Sequence, residues 1–172
     1  MTLTKRGEYA LRALIDLGLM QELGKPVLRV SDLARKEKLP KKFLEQILSQ
    51  FRKAGYVATK RGPHGGCWLH KPANSIVMGD VIRLIDGPLA PIPCVSQTAY
   101  KRCSCPDEDH CGLRLLMLDV RTAISGILDR FTLADVVEVT LRKLRRTNAT
   151  VPLIEAMEAL GKKNRKPQRK TL

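Results

Sequence analysis

The sequence predicts a mainly α-helical protein with a small β-hairpin wing, a winged helix-turn-helix followed by a long dimerisation helix. Three observations predict it. Two amphipathic helical stretches meet at Leu39-Pro40, two short strand-like runs with a glycine-rich basic turn come next, and from Leu113 apolar residues recur at steps of four and three. At 172 residues the chain can bury one good core and is short for two independent domains.

Thr4 is placed to cap a first helix that runs to about Glu22 and ends at Gly24. Tyr9, Ala10, Leu11, Ala13, Leu14, Ile15, Leu17, Leu19 and Met20 make this helix apolar almost all round. Burial between the winged body and a second covering surface is expected, with a second subunit as the candidate. Glu8 is the exception near its start and reads as a carboxylate favoured by the helix N-terminus.

Ser31 is the expected cap of the next helix, with Val30, Leu33 and Ala34 inward and Asp32, Arg35, Lys36 and Lys38 in water. Pro40 disfavours a helical residue before it and suits the start of a new helix, so the break is sharp. From about Lys41 to Ala54, Phe43, Leu44, Ile47, Leu48 and Phe51 share one face, and Gly55 terminates the run. The other face carries Lys42, Glu45, Gln46, Ser49, Gln50, Arg52 and Lys53. Cations suited to phosphates thus stand beside amides and a carboxylate that can read base edges in a major groove.

Tyr56–Lys60 and Cys67–Leu69 read as strands around the turn Arg61-Gly62-Pro63-His64-Gly65-Gly66. Lys60, Arg61 and His64 sit at its tip, where arginine suits a narrow, electronegative minor groove. The formal net charge of +14 agrees with a polyanionic partner, double-stranded DNA above all. Aromatic residues make up only 4%, which weighs against a single-strand binder working through stacked bases. No apolar run reaches bilayer length and no signal peptide is evident, so a cytoplasmic protein without membrane contact is expected. No nucleophile-base set, phosphate loop or HExxH motif speaks for an enzyme.

A short helix from about Met78 to Asp86 ends at Gly87-Pro88, and an irregular segment follows to about Gly112. It holds Cys94, Cys103, Cys105 and Cys111 in the pattern Cys-x8-Cys-x-Cys-x5-Cys, which fits neither zinc-ribbon knuckles nor the ferredoxin repeat. Four thiols in one loop can still converge on a soft metal. An iron–sulfur cluster, a structural zinc and a metal-free thiol switch are equally open on spacing, and Lys101 and Arg102 would favour thiolates. Cys67, alone in a wing strand, reads as a small buried hydrophobe.

From Leu113 to about Arg130, Leu113, Met117, Val120, Ile124, Ile127 and Phe131 form a seam of coiled-coil type, with Leu116, Ala123 and Leu128 as a second apolar set. Such a helix can pack on its own body and on a twin. Thr132-Leu133-Ala134-Asp135 resembles a capping box opening a last helix to about Arg146. A marginal helix at 151–160 and a disordered basic tail from Gly161 are expected beyond it.

Together these residues resemble the IscR/NsrR type of bacterial winged-helix regulators, the Rrf-two family, in its iron–sulfur-binding branch. The matching pieces are Leu3-Thr4 with Tyr9-Ala10-Leu11, Phe43-Leu44-Glu45-Gln46-Ile47-Leu48, Arg52-Lys53-Ala54-Gly55, the wing Arg61 to Gly66, the loop cysteines and Thr132-Leu133-Ala134-Asp135. The resemblance implies a homodimer built on the long helix, and a 2Fe–2S or 4Fe–4S cluster on three loop cysteines whose state alters DNA binding; zinc is the less favoured occupant. By position it implies Glu45 and Gln46 on base edges, Lys42 on the backbone, Arg61 in the minor groove, and Cys94 and Cys111 as outer ligands. Cys105 ranks ahead of Cys103 as middle ligand. Some members use a histidine three residues after the last cysteine, where this chain has Arg114; others use an acidic residue of the first helix, here Glu8.

The chain is thus expected to divide into a winged helix-turn-helix DNA-binding domain at 1–87, a cluster-binding loop at 88–112, dimerisation and C-terminal helices at 113–146, and a flexible basic tail at 147–172. The expected function is transcription regulation by a homodimer that senses iron, redox or nitric oxide status. The alternatives are the same DNA-binding protein with a zinc or thiol-switch loop, and a basic nucleic-acid-binding module without a sensor.

Overall fold

Thr4 caps the first helix, α1 (Lys5–Glu22), by accepting the Gly7 amide on its hydroxyl at 3.0 Å. The computed structural model describes residues 3–62, 65–149 and 154. The helix-turn-helix follows as α2 (Val30–Lys36) and α3 (Lys41–Lys53), and the wing as β1 (Val57–Lys60) and β2 (Gly66–Leu69). Then come α4 (Met78–Asp86), the cysteine segment with a 3-10 turn at Pro93–Val95, α5 (Gly112–Leu128) and α6 (Leu133–Arg146). Among the described residues no helix is long and apolar enough to cross a membrane.

The core lies between α1, α3 and the wing, where Leu14, Leu17, Met20, Leu28, Leu33, Leu44, Ile47 and Phe51 are fully buried. The α1 helix is enclosed as its composition demands, and its own chain supplies much of the cover: α6, α4, β2 and α3 pack around it. Gly18 is needed there, because a Cβ would lie 2.6 Å from Val137 of α6. Asp86, at the end of α4, accepts the Thr4 amide at 2.9 Å and so joins α4 to the start of α1.

The α2 helix starts two residues earlier than expected, with Arg29 at the cap position, so Ser31 lies inside the helix and does not cap it. Lys38 takes the left-handed conformation, φ 54°, and supplies the turn before Pro40. Lys36 is not in water either. Its ammonium lies 2.7 Å from both Asp16 oxygens and 2.8 Å from Glu37, joining α2 to α1 through a buried ionic cluster.

β1 and β2 pair antiparallel, with Val57 opposite Leu69 and Lys60 opposite Gly66. Leu28 adds a bridge to the free edge of β2 through two backbone bonds with Cys67, of 2.9 and 2.7 Å. Gly66 permits this close approach, since a Cβ would lie 2.4 Å from the Leu28 carbonyl oxygen. Cys67 is fully buried, and burial pushes its thiol up to about 12, so it is an inert packing residue.

The expected capping box forms: the Thr132 hydroxyl accepts the Asp135 amide while the Asp135 carboxylate accepts the Thr132 amide. The α5 helix contrasts with every other long helix. Its one buried residue is Ser125, whereas Leu113, Leu115, Leu116 and Ile127 are each more than half exposed. Met117, Val120 and Ile124 of the expected seam and Leu128 of the second set are half-buried, while Phe131 of the seam and Ala123 of the second set lie open. The bidentate pair of Arg83 with Asp129, 2.7 Å on both arms, ties the end of α5 to α4. Of the expected helix at 151–160, Ile154 alone is described, helical and packed on the core; the basic tail from Gly161 lies outside the described residues.

Candidate functional site

The first candidate surface is a groove of about 590 Å³ between α3, the wing and the segment leading into α2. Leu44, Ile47, Leu48 and Phe51 anchor one face of α3 in the core, which turns Lys42, Glu45, Gln46 and Arg52 outward. Glu45, Ser49, Arg52, Lys60 and Arg61 line the groove, and Lys42 and Gln46 are exposed beside it. His64 lies outside the described residues. Gln50 is turned toward α1, where it accepts from Arg6 at 2.9 Å.

The wing tip is shaped by its glycines. Gly62 is left-handed at φ 115°, its carbonyl accepts the Gly65 amide at 2.9 Å, and a Cβ on Gly65 would meet the Lys60 oxygen at 2.2 Å. That turn holds Lys60 and Arg61 at the groove. Arg29, Ser31, Lys41 and Thr59 also line it and were not singled out from the sequence as binding residues. Five cations, Arg29, Lys41, Arg52, Lys60 and Arg61, thus surround one carboxylate, Glu45, whose partner is Lys41 at 3.6 Å. Such a surface suits a polyanion with hydrogen-bonding edges at its centre.

The second candidate is the cysteine segment. Cys94 is buried on the 3-10 turn against α5, and Cys103, Cys105 and Cys111 are half-buried. The thiols form a string: Cys94 neighbours Cys103, Cys103 neighbours Cys105, and Cys105 lies 4.0 Å from Cys111. Burial and then the Cys103 thiol push Cys94 up, and hydrogen bonding of the Cys105 thiol with Cys103 and Cys111 pushes Cys105 up to about 12. At Cys94 and Cys105, burial and the neighbouring thiols therefore outweigh the thiolate character expected from Lys101 and Arg102. Arg102 instead faces Glu108 at 4.0 Å.

The loop is held by its own side chains. Glu108, largely buried, accepts from Tyr100 at 2.8 Å and pairs with Arg114 at 3.3 Å; Asp107 accepts the Asp109 and His110 amides at 3.1 Å. Glu8 pairs instead with Lys5 at 2.8 Å and Arg12 at 2.6 Å. Among the described residues no three His, Cys, Asp or Glu side chains meet in metal-binding geometry. The donors fit a soft metal group in kind, four thiols in one segment, and would have to draw together to hold it.

Comparison with known proteins gives a consistent result. A family model described as "Rrf2: Iron-dependent Transcriptional regulator" matches residues 3–139. An rrf2-like HTH-type transcriptional regulator of Rhodobacter capsulatus is 38% identical over 135 residues, covering 77% of this chain and 90% of that protein. The HTH-type transcriptional regulator IscR of Serratia proteamaculans is 36% identical over 137 residues, covering 80% of this chain and 79% of that protein. Among solved structures, that of CymR, the global cysteine regulator of B. subtilis, superimposes with a TM-score of 0.67 at 27% identity, over 81% of this chain and 98% of that one.

Proposed function

The chain belongs to the Rrf2 family of transcriptional regulators, and from that premise we propose that it is a homodimeric, sequence-specific DNA-binding protein that senses iron, redox or nitric oxide status through an iron–sulfur cluster. The observation that carries the sensing reading is positional. Cys111 is the N-cap residue of α5, so the last thiol of the string directly precedes the one long helix left uncovered among the described residues.

Each α3 would enter a major groove, with Glu45, Gln46 and Ser49 toward base edges and Lys42 and Arg52 on phosphates; Lys60, Arg61 and His64 of the wing would follow into the minor groove. A second subunit would cover the exposed leucines of α5 and set two recognition helices at successive turns of the duplex. Cys94, Cys111 and the middle thiol, Cys105 ahead of Cys103, would hold the cluster, with Glu8 as the candidate for the remaining position. When bound, the cluster supplies one-electron chemistry and reactivity toward oxygen or nitric oxide. Drawing the thiols together would pull Cys111 and re-aim α5, changing the spacing of the two α3 helices. A coupling of about 1–3 kcal/mol would alter DNA affinity by roughly one to two decades.

Protein purified without oxygen is expected to be brown, with matched iron and sulfide, and Cys94→Ala or Cys111→Ala is expected to abolish the colour while leaving the protein folded. Colourless protein lacking iron even after anaerobic reconstitution would sink the cluster. The contact of 4.0 Å between Cys105 and Cys111 favours a second reading, a thiol switch on the same loop. In that case thiol counts, rather than iron, would track DNA affinity.

A further inference from the structure

We propose that Arg29 and Lys41 form an additional phosphate-binding wall of the DNA groove, so that each subunit grips the duplex backbone from the helix-turn-helix side as well as from the wing. The proposal rests on the DNA-binding reading above and adds residues to it.

Three features place them. The bridge between Leu28 and Cys67 fastens the chain to the free edge of β2, so the next residue, Arg29, is held at the root of the wing rather than on a loose loop. Gly66 makes that fastening possible by leaving room for the Leu28 carbonyl. Arg29 then occupies the cap position of α2 without making a capping bond, and its exposed side chain borders the same groove as Arg52, Lys60 and Arg61.

Lys41 opens α3 and borders the groove beside Ser31. Its contact to Glu45 is long, 3.6 Å, and both side chains are at least half exposed, so it is weak and readily exchanged for a phosphate. A guanidinium and an ammonium next to a hydroxyl are the donor set found on phosphate oxygens. Arg29 lies outside α3 and Lys41 stands at its first residue, ahead of Glu45 and Gln46, so both are assigned to the phosphate backbone rather than to base edges.

The test measures the affinity of the full-length protein for a random-sequence duplex of about 40 base pairs across a range of salt concentrations. Each phosphate contact contributes about 0.9 to the slope of log K against log salt, which near 0.1 M salt corresponds to about an order of magnitude in affinity. Arg29→Gln is expected to flatten the slope by about that amount per engaged copy, Lys41→Gln to do the same, and Arg29→Lys to retain most of it. Arg142→Gln, the same loss of charge on α6, is expected to leave the slope unchanged. Superimposable unfolding curves establish that the variants are folded.

An unchanged slope in Arg29→Gln while wild type binds with strong salt dependence overturns the proposal and leaves the DNA-binding reading standing. Equal flattening in Arg142→Gln also overturns it, because the effect would then be one of overall charge. Wild-type protein that fails to bind any duplex overturns both.

Discussion

Lys36→Met is expected to cost about 3–5 kcal/mol of unfolding free energy, the penalty of removing one partner from a buried ionic cluster. Asp16 on α1 is 2% exposed, and both of its oxygens rest on the Lys36 ammonium at 2.7 Å. Glu37 is buried beside it and, among the described residues, pairs with Lys36 and, more distantly, with Arg12 at 3.4 Å. Methionine would fill the space but leave two carboxylates facing each other without their shared cation. The reverse change is far milder. In Asp16→Asn the amide oxygen can still accept from Lys36, and the ammonium keeps Glu37.

The two variants also separate in their pH dependence. Burial raises Asp16 from its ordinary 3.8 to about 6, against the pull of Lys36. Between about pH 4 and 6 the native state therefore binds a proton that the unfolded chain has released, and this carboxylate's contribution falls as pH rises through that window. Burial works against the Lys36 ammonium, but Asp16 and Glu37 outweigh it and its pKa is raised, so its contribution is present below 10.5 and is lost as pH climbs past the folded value. Urea unfolding from about pH 4 to 7.5 checks the statement for Asp16, and the same measurement carried above pH 10.5 checks that for Lys36. Asp16→Asn should remove the slope between about pH 4 and 6, and a Lys36→Met protein as stable as wild type would show that the cluster does not hold α2 to α1.

Leu116→Glu is expected to turn the protein into a well-folded monomer whose affinity for a two-half-site duplex is about 100-fold lower or worse. Leu116 is 57% exposed, as is Leu113, with Leu115 and Ile127 at 55% and 54%. A surface substitution at such a site changes the monomer's own stability by only about 0.5 kcal/mol. Placed in the core of an α5–α5 contact, the same carboxylate would be desolvated without a partner. Sedimentation velocity and a gel-shift titration decide it. A Leu116→Glu protein that still sediments as a dimer and binds DNA normally would remove α5 from the interface.

Local signals were legible wherever the chemistry acts within a few residues. Thr4, Gly24, Pro40, Gly55, Gly87 and the Thr132–Asp135 box mark element ends because caps, left-handed turns and the missing proline amide work over one helical turn. The apolar face of α3 was legible from its spacing, and the residues turned outward follow from it by geometry. Ser31 misled because a hydroxyl before an apolar run is a cap only if the backbone turns there, and the bridge at Leu28 places that turn at Arg29. Lys36 misled for a related reason: on α2 alone it belongs to the wet face, and only α1 brings Asp16 over it. Arg29, Ser31, Lys41 and Thr59 were missed as groove residues because three separate elements have to meet before there is a groove.

By itself, the sequence determined the helices, the wing, the family and the presence of a thiol-rich loop before an amphipathic helix. Each depends on residue type and near spacing. The tertiary structure decided that α6 closes over α1, that the thiols run in a string ending at the cap of α5, and that Arg29 joins the basic groove. The packing of α6 and the place of Arg29 depend on contacts between distant positions, Gly18 with Val137 and Leu28 with Cys67, 39 apart. Side-chain periodicity carries no information over such distances; close packing of the whole core selects those partners.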